Sequence, residues 1–170
     1  MPDRLRERAD LLDYVERFSE ILIASGVQRM SARVFSYILA DDAASYTAAE
    51  LADGLDVSLA AISGAVRELT TMGLLFKGRR PGTRADVYQL NEDDIWGSII
   101  LERSPLIERY KSLALEGMDT LPPGPGRDRL EQTAEFMQFW LDEVQGMGER
   151  WTARLRARRA AQDHGDGSEA

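Results

Sequence analysis

The chain has 170 residues, 44% of them hydrophobic, enough for one domain with a real core or a small domain with helical extensions. It has no cysteine, which excludes disulfides and thiolate metal sites, and its single histidine, His164, lies in a polar tail, which leaves a histidine metal site or a Ser-His-Asp triad almost nothing to work with. The net charge of −8 opposes general attraction to nucleic acid, and no window approaches the roughly 18 apolar residues of a membrane span.

The N-terminus is charged and lacks the apolar centre of a signal peptide, so a cytoplasmic protein is expected. Leu5, Ala9, Leu12, Val15, Phe18 and Leu22 form one apolar stripe, which predicts a first helix from Leu5 to Ser25, stopped by Gly26. A second helix is predicted over Arg29 to Leu39, with Met30, Val34 and Ile38 inward, followed by a loop from Asp41 to Tyr46. Thr47 and Glu50 have the spacing of a capping box and open a third helix that points Leu51 and Leu55 to the core. Asp56 and Val57 make a tight turn. Ser58 caps a fourth helix, with Ile62, Val66 and Leu69 inward and Gly73 at its end.

Two short apolar runs, Leu74 to Lys77 and Asp86 to Leu90, read as paired strands. The loop between them carries Arg79, Arg80 and Arg84 around a Pro-Gly turn. A fifth helix is predicted from Asp93 to Gly117, kinked or split at Ser104-Pro105. After the breaker-rich Leu121 to Gly126, a sixth helix runs from Arg127 to Arg158. Its residues Leu130, Ala134, Met137, Leu141, Val144, Gly148, Trp151 and Leu155 repeat about every 3.5 positions, as in a helix packed along a partner helix. Phe136, Phe139, Trp140 and Met147 widen that surface, so more than one neighbour is expected. Residues 161–170 are polar and expected to be a disordered tail.

The order helix, turn, helix, strand, basic loop, strand is that of a winged helix-turn-helix, which places one helix in the DNA major groove. The expected fold is mainly α with a small two-stranded β-wing. The charge distribution fits. Between Ser58 and Leu90, Arg67, Lys77, Arg79, Arg80 and Arg84 outnumber Glu68 and Asp86, a basic patch on an acidic body.

The segments SGVQRMSARVFSYIL, TAAELADGLDVSLAAISGAVREL, MGLL and PGTRADVYQL, from Gly26 to Leu90, resemble MarR-type transcriptional regulators, within them the GbsR-like branch. The resemblance implies a homodimer. Residues 1–25 and 93–160 would be its N- and C-terminal dimerisation helices, and residues 26–92 its DNA-binding domain. It also implies a recognition helix over Ser58 to Met72 and a wing over Arg79 to Ala85. Many members are repressors released by a small ligand. Asp56 stands where glycine is frequent in that turn, and aspartate tolerates left-handed backbone.

On the recognition helix, Ser58, Ala60, Ser63 and Arg67 are the candidate DNA contacts, Arg67 foremost because arginine bonds guanine bidentately. Its competing role is a solvated neighbour of Glu68. In the wing, Arg79, Arg80, Thr83 and Arg84 are candidate phosphate or minor-groove contacts, against a merely solvated hairpin tip. Gln28, Arg29 and Arg33, at the start of the second helix, are candidate phosphate contacts. Trp96, Tyr110, Phe136, Phe139, Trp140 and Trp151 either line an effector pocket or pack in the core and dimer. No metal, cofactor or catalytic residue is expected. The function expected is a dimeric repressor on a pseudo-palindromic DNA operator, with a small-molecule effector. The alternative is a winged-helix protein-interaction module without direct DNA binding.

Overall fold

The computed structural model describes residues 2–91, 94–101 and 103–166, and the chain divides into two compact units, Met1–Asp93 and Asp94–Ala170. In the first unit the elements are α1 (Pro2–Ala24), α2 (Arg29–Ala40), β1 (Tyr46–Thr47), α3 (Ala48–Leu55), α4 (Leu59–Thr71), β2 (Phe76–Arg79) and β3 (Asp86–Gln89). Val15, Val34, Phe35, Leu51, Ile62, Leu69 and Leu75 are fully buried and form its core, one or two from each of α1 to α4 and one, Leu75, from the link between α4 and β2. Each such side chain contributes about 1.5–3 kcal/mol by leaving water.

The helix boundaries follow local chemistry. Thr47 and Glu50 form the full capping box at the start of α3. Asp56 ends α3 in the left-handed region (φ 54°, ψ 52°), and Val57 N donates to Ala52 O at 3.0 Å, making the turn into α4. Gly73, with φ 70°, turns the chain out of α4, and Leu74 N donates back to Leu69 O at 2.9 Å. Between α1 and α2, the buried Ser19 hydroxyl donates to Val15 O and lies 3.2 Å from Ser36 Oγ, so small polar residues let these helices approach.

The sheet has three antiparallel strands in the order β1-β3-β2, with Tyr46 opposite Tyr88 and Arg79 opposite Asp86. β2 and β3 are the expected two-stranded wing; β1 adds a third strand and corrects the loop assigned through Tyr46. A two-residue strand carries no periodicity that a sequence could display. Tyr46 is there for burial: its ring is 5% exposed, and its hydroxyl donates to the Asp41 carboxylate and accepts from Ala43 N. Burial first, and Asp41 second, push its pKa up. β2 also begins later than the apolar run, because Leu74 and Leu75 are spent as buried packing after α4.

The second unit holds α5 (Ile95–Leu101), α6 (Ser104–Thr120) and α7 (Pro125–Asp166). Pro105 sits in the first turn of α6 and separates it from α5, so the expected single helix is split there. Its expected start at Asp93 lies outside the described residues. Two glycines set the packing distances. A β-carbon on Gly117 would come within 2.7 Å of Leu130 in α7, and one on Gly148 within 3.0 Å of Leu101 in α5. Ala134, Val144 and Gly148 of the α7 seam are buried. The tail is corrected in part: α7 continues to Asp166 through the helix-favouring run RLRARRAAQ, so residues 161–166 are helical, while 167–170 lie outside the described residues. No described helix is long and apolar enough to cross a membrane.

Candidate nucleic-acid interface

α4 is a helix with one face committed to the core and the other left bare. Ser58 Oγ accepts from Ala61 N at 3.3 Å and caps it. Ile62, Ala65, Val66 and Leu69 are buried, whereas Leu59, Ala60, Ser63, Gly64 and Arg67 are exposed. The Ser63 hydroxyl donates to Leu59 O at 2.9 Å, so towards a ligand it offers its oxygen lone pairs. Arg67 O accepts from the Thr71 hydroxyl at 2.9 Å, but the Arg67 guanidinium has no hydrogen-bond or ion-pair partner among the described residues. Its competitor, Glu68, accepts from the Ser31 hydroxyl of α2 at 2.6 Å and makes no ion pair with Arg67. The guanidinium is thus left unneutralised on the exposed face.

The wing is built by its own loop residues. Arg80 N donates to Ala85 O at 3.2 Å, and Thr83 N and Oγ1 both donate to Arg80 O. Thr83 Oγ1 also accepts from Ala85 N at 3.3 Å, and Gly82 supplies the positive φ of 76° that the turn requires. Thr83 therefore holds the loop together rather than presenting a free hydroxyl. Arg80 is likewise committed: its Nη1 and Nη2 each lie 2.8 Å from a separate Glu50 carboxylate oxygen. That bidentate pair, with help from Thr47 N, holds the Glu50 carboxyl down at a pKa of about 2. Lys77 pairs with Asp86 across the strands at 2.7 Å. Arg79 and Arg84 remain exposed with no hydrogen-bond or ion-pair partner among the described residues.

At the start of α2, Gln28 is the N-cap but makes no side-chain capping bond, which leaves first-turn amides open. Arg29 is exposed and lies 4.0 Å from Glu16. Arg33 is different from the sequence expectation: it is 18% exposed and its Nε donates to Glu16 Oε1 at 2.6 Å, tying α2 to α1. A groove of about 630 Å³ runs between this end of α2 and α4, lined among others by Gln28, Ser31, Ala60, Gly64, Arg67 and Glu68. The fold thus gathers Gln28, Ala60 and Arg67 on one groove and leaves Arg79 and Arg84 free on the wing. Arg33, Arg80 and Thr83 are withdrawn into protein contacts.

Sequence reading found the Thr47–Glu50 cap but missed that Glu50 also holds Arg80, and that Ser31 holds Glu68. These partners are 30 and 37 positions apart, and no local spacing signals them. Of the aromatic residues considered for a pocket, Trp96 and Trp151 do share one: a cavity of about 230 Å³ with Gly97, Ile100, Leu101, Met147 and Gly148. Trp151 Nε1 donates to Asp94 Oδ1 at 2.6 Å, and the same oxygen accepts from Gly97 N at 2.8 Å, so the cavity wall is braced.

No curated protein matches the chain. A solved structure titled as the crystal structure of a transcriptional regulator is similar in fold, with a TM-score of 0.74 and 22% identity, over 85% of this chain and 99% of that one. The family model that matches describes an MmpR5-like MarR family transcriptional regulator, and a GbsR-like affiliation gains no support from it. The match falls on residues 94–154, the helical second unit and not the winged helix. The chain is a mainly helical winged helix-turn-helix protein whose second unit is similar to that of MmpR5-like MarR family regulators.

Proposed function

We propose that this chain is a dimeric, sequence-specific DNA-binding transcriptional regulator, acting as a cytoplasmic repressor on a pseudo-palindromic operator. The observation that carries the reading is Arg67, exposed and unpaired in the middle of a capped helix whose neighbouring exposed residues are small. An arginine so placed can enter a major groove and bond a guanine edge. Arg79 and Arg84 supply phosphate contacts beside it, and the open first turn of α2 with Gln28 supplies another. The likeness to regulators in fold and in the second unit supports the same assignment.

Two recognition helices must lie about one DNA turn apart, roughly 34 Å, to read two half-sites. The long helices of the second unit are the means of setting that spacing between copies. A small apolar effector in the Trp96–Trp151 cavity would act by favouring a spacing that fits the operator less well.

The test is fluorescence anisotropy of the full chain on its own upstream intergenic DNA and on random DNA, with salt titrated, beside an Arg67→Ala/Arg84→Ala variant. Saturable, salt-sensitive preference for the upstream DNA, lost in the variant, is the expected result. Equal binding to both DNAs, unchanged in the variant, would overturn the reading in favour of a protein-interaction module.

A further inference from the structure

We propose that Glu50 is the positioning residue of the wing: its carboxylate clamps Arg80 and thereby fixes the loop that carries Arg84 and follows Arg79 at the end of β2. The functional half of this inference rests on the DNA-binding reading above, while the clamp itself is a property of the free protein.

The clamp joins two parts that are each rigid on their own side. On the helix side, Glu50 Oε2 accepts from Thr47 N at 2.7 Å and Thr47 Oγ1 at 2.9 Å, so the carboxylate is held by the first turn of α3. On the wing side, the Arg80 main chain is the root of the loop, bonded through N to Ala85 and through O to Thr83. Between them runs a two-pronged guanidinium–carboxylate pair, both contacts 2.8 Å, which fixes orientation as well as distance. The loop from Pro81 to Ala85 is exposed throughout, and among the described residues its other anchorage is the sheet. Arg79 precedes the clamped residue at the end of β2 and Arg84 follows it in the loop, and neither guanidinium has a side-chain partner among the described residues. A contact residue on an unanchored hairpin would lose conformational freedom on binding; one on a clamped hairpin has lost it beforehand. Arg80 therefore acts on DNA through its neighbours, and Glu50, an acid beside a polyanion, favours the complex through geometry.

The experiment uses the full chain with Glu50→Gln, Arg80→Gln and the double variant. Glutamine at this position retains the capping box, so α3 is preserved while the charge is lost. The first readout is amide hydrogen exchange of residues 76–89 in the free protein. Faster exchange in both single variants, with no further gain in the double, is expected; exchange equal to wild type overturns the clamp whether or not the chain binds DNA. The second readout is operator affinity against salt. Each single variant is expected to bind roughly three- to tenfold more weakly, the double no worse than either, with the salt slope unchanged. Unchanged affinity despite faster exchange overturns the positioning role. A slope reduced by about 0.9 in Arg80→Gln, with Glu50→Gln binding as tightly as wild type, also overturns it and makes Arg80 a phosphate contact. Wild type without operator preference sinks the regulator reading alone, and exchange still decides the clamp.

Discussion

Arg67 owes its availability to a serine on another helix. Ser31 donates to the Glu68 carboxylate at 2.6 Å, and Glu68 makes no ion pair with the guanidinium beside it. Ser31→Ala is therefore expected to weaken operator binding without touching DNA, by releasing Glu68 to neutralise Arg67 and repel phosphate. Arg67→Ala should cost about 1–3 kcal/mol and relax base preference at one operator position. Both effects are read by anisotropy on single-base operator variants, and wild-type affinity for Arg67→Ala would remove it from the interface. Glu50 makes a pH prediction at the same scale. Its folded pKa, about 2, lies below its ordinary value of 4.5, so its stabilising effect is fully present above pH 4.5 and is lost as pH falls towards 2. The pair is half-exposed and solvent-screened, so the effect is small. Thermal melts of wild type and Glu50→Gln should differ by a constant amount from pH 6 to 8 and converge as pH falls from about 4.5 towards 2; a difference that varies across pH 6–8 would contradict the assignment. The residues themselves were legible in the sequence: every cap and every arginine of the site is a local fact. Their partners were not, because Glu50–Arg80, Ser31–Glu68 and Arg33–Glu16 are made by tertiary folding.

At the scale of the element, helix ends were written more clearly than strands. Thr47, Ser58, Asp56 and Gly73 each satisfy or terminate the backbone in a way that depends on their own side chain, or its absence, and their neighbours' amides. β1 has only Tyr46 and Thr47, and it exists because β3 has an edge to pair and Tyr46 has a ring to bury. The turn between α3 and α4 sets the angle at which α4 is presented, and it depends on a left-handed Asp56. Asp56→Val is expected to destabilise the unit by about 1–2 kcal/mol, since a β-branched residue resists that conformation. A melt by circular dichroism measures it, and an unchanged midpoint would mean that the turn relaxes freely. Leu69→Ala, which removes a fully buried anchor of α4, should cost about 2–5 kcal/mol in the same assay.

At the scale of the whole molecule, the repeat in α7 was legible as a demand for partners, but not how many of them the chain supplies itself. α6 and α5 take up the seam at Ala134, Val144 and Gly148. Phe136 and Phe139, on another face of α7, stay 57% and 60% exposed, and Leu113 of α6 is 64% exposed. Side chains of this size in one helical unit are costly to leave in water and are typical of an interaction surface. The family match to residues 94–154 puts family-specific sequence in this unit, while the winged helix rests on capping and packing rules common to many such modules. A second copy covering this face accounts for both facts under the proposed dimer. Phe136→Asp/Phe139→Asp should then weaken self-association at least about a hundredfold, since each ring lost from a buried interface costs on the order of 2 kcal/mol and each buried charge adds to it. Sedimentation velocity across a concentration series reads the change directly. Circular dichroism of the same samples checks that α7 remains helical, as it should, because neither ring belongs to the buried seam. Operator affinity should fall with dimerisation, because a monomer engages one half-site where a dimer engages two. A variant that sediments like wild type would assign these rings to some other surface and leave the dimer, if formed, to α1 or α6.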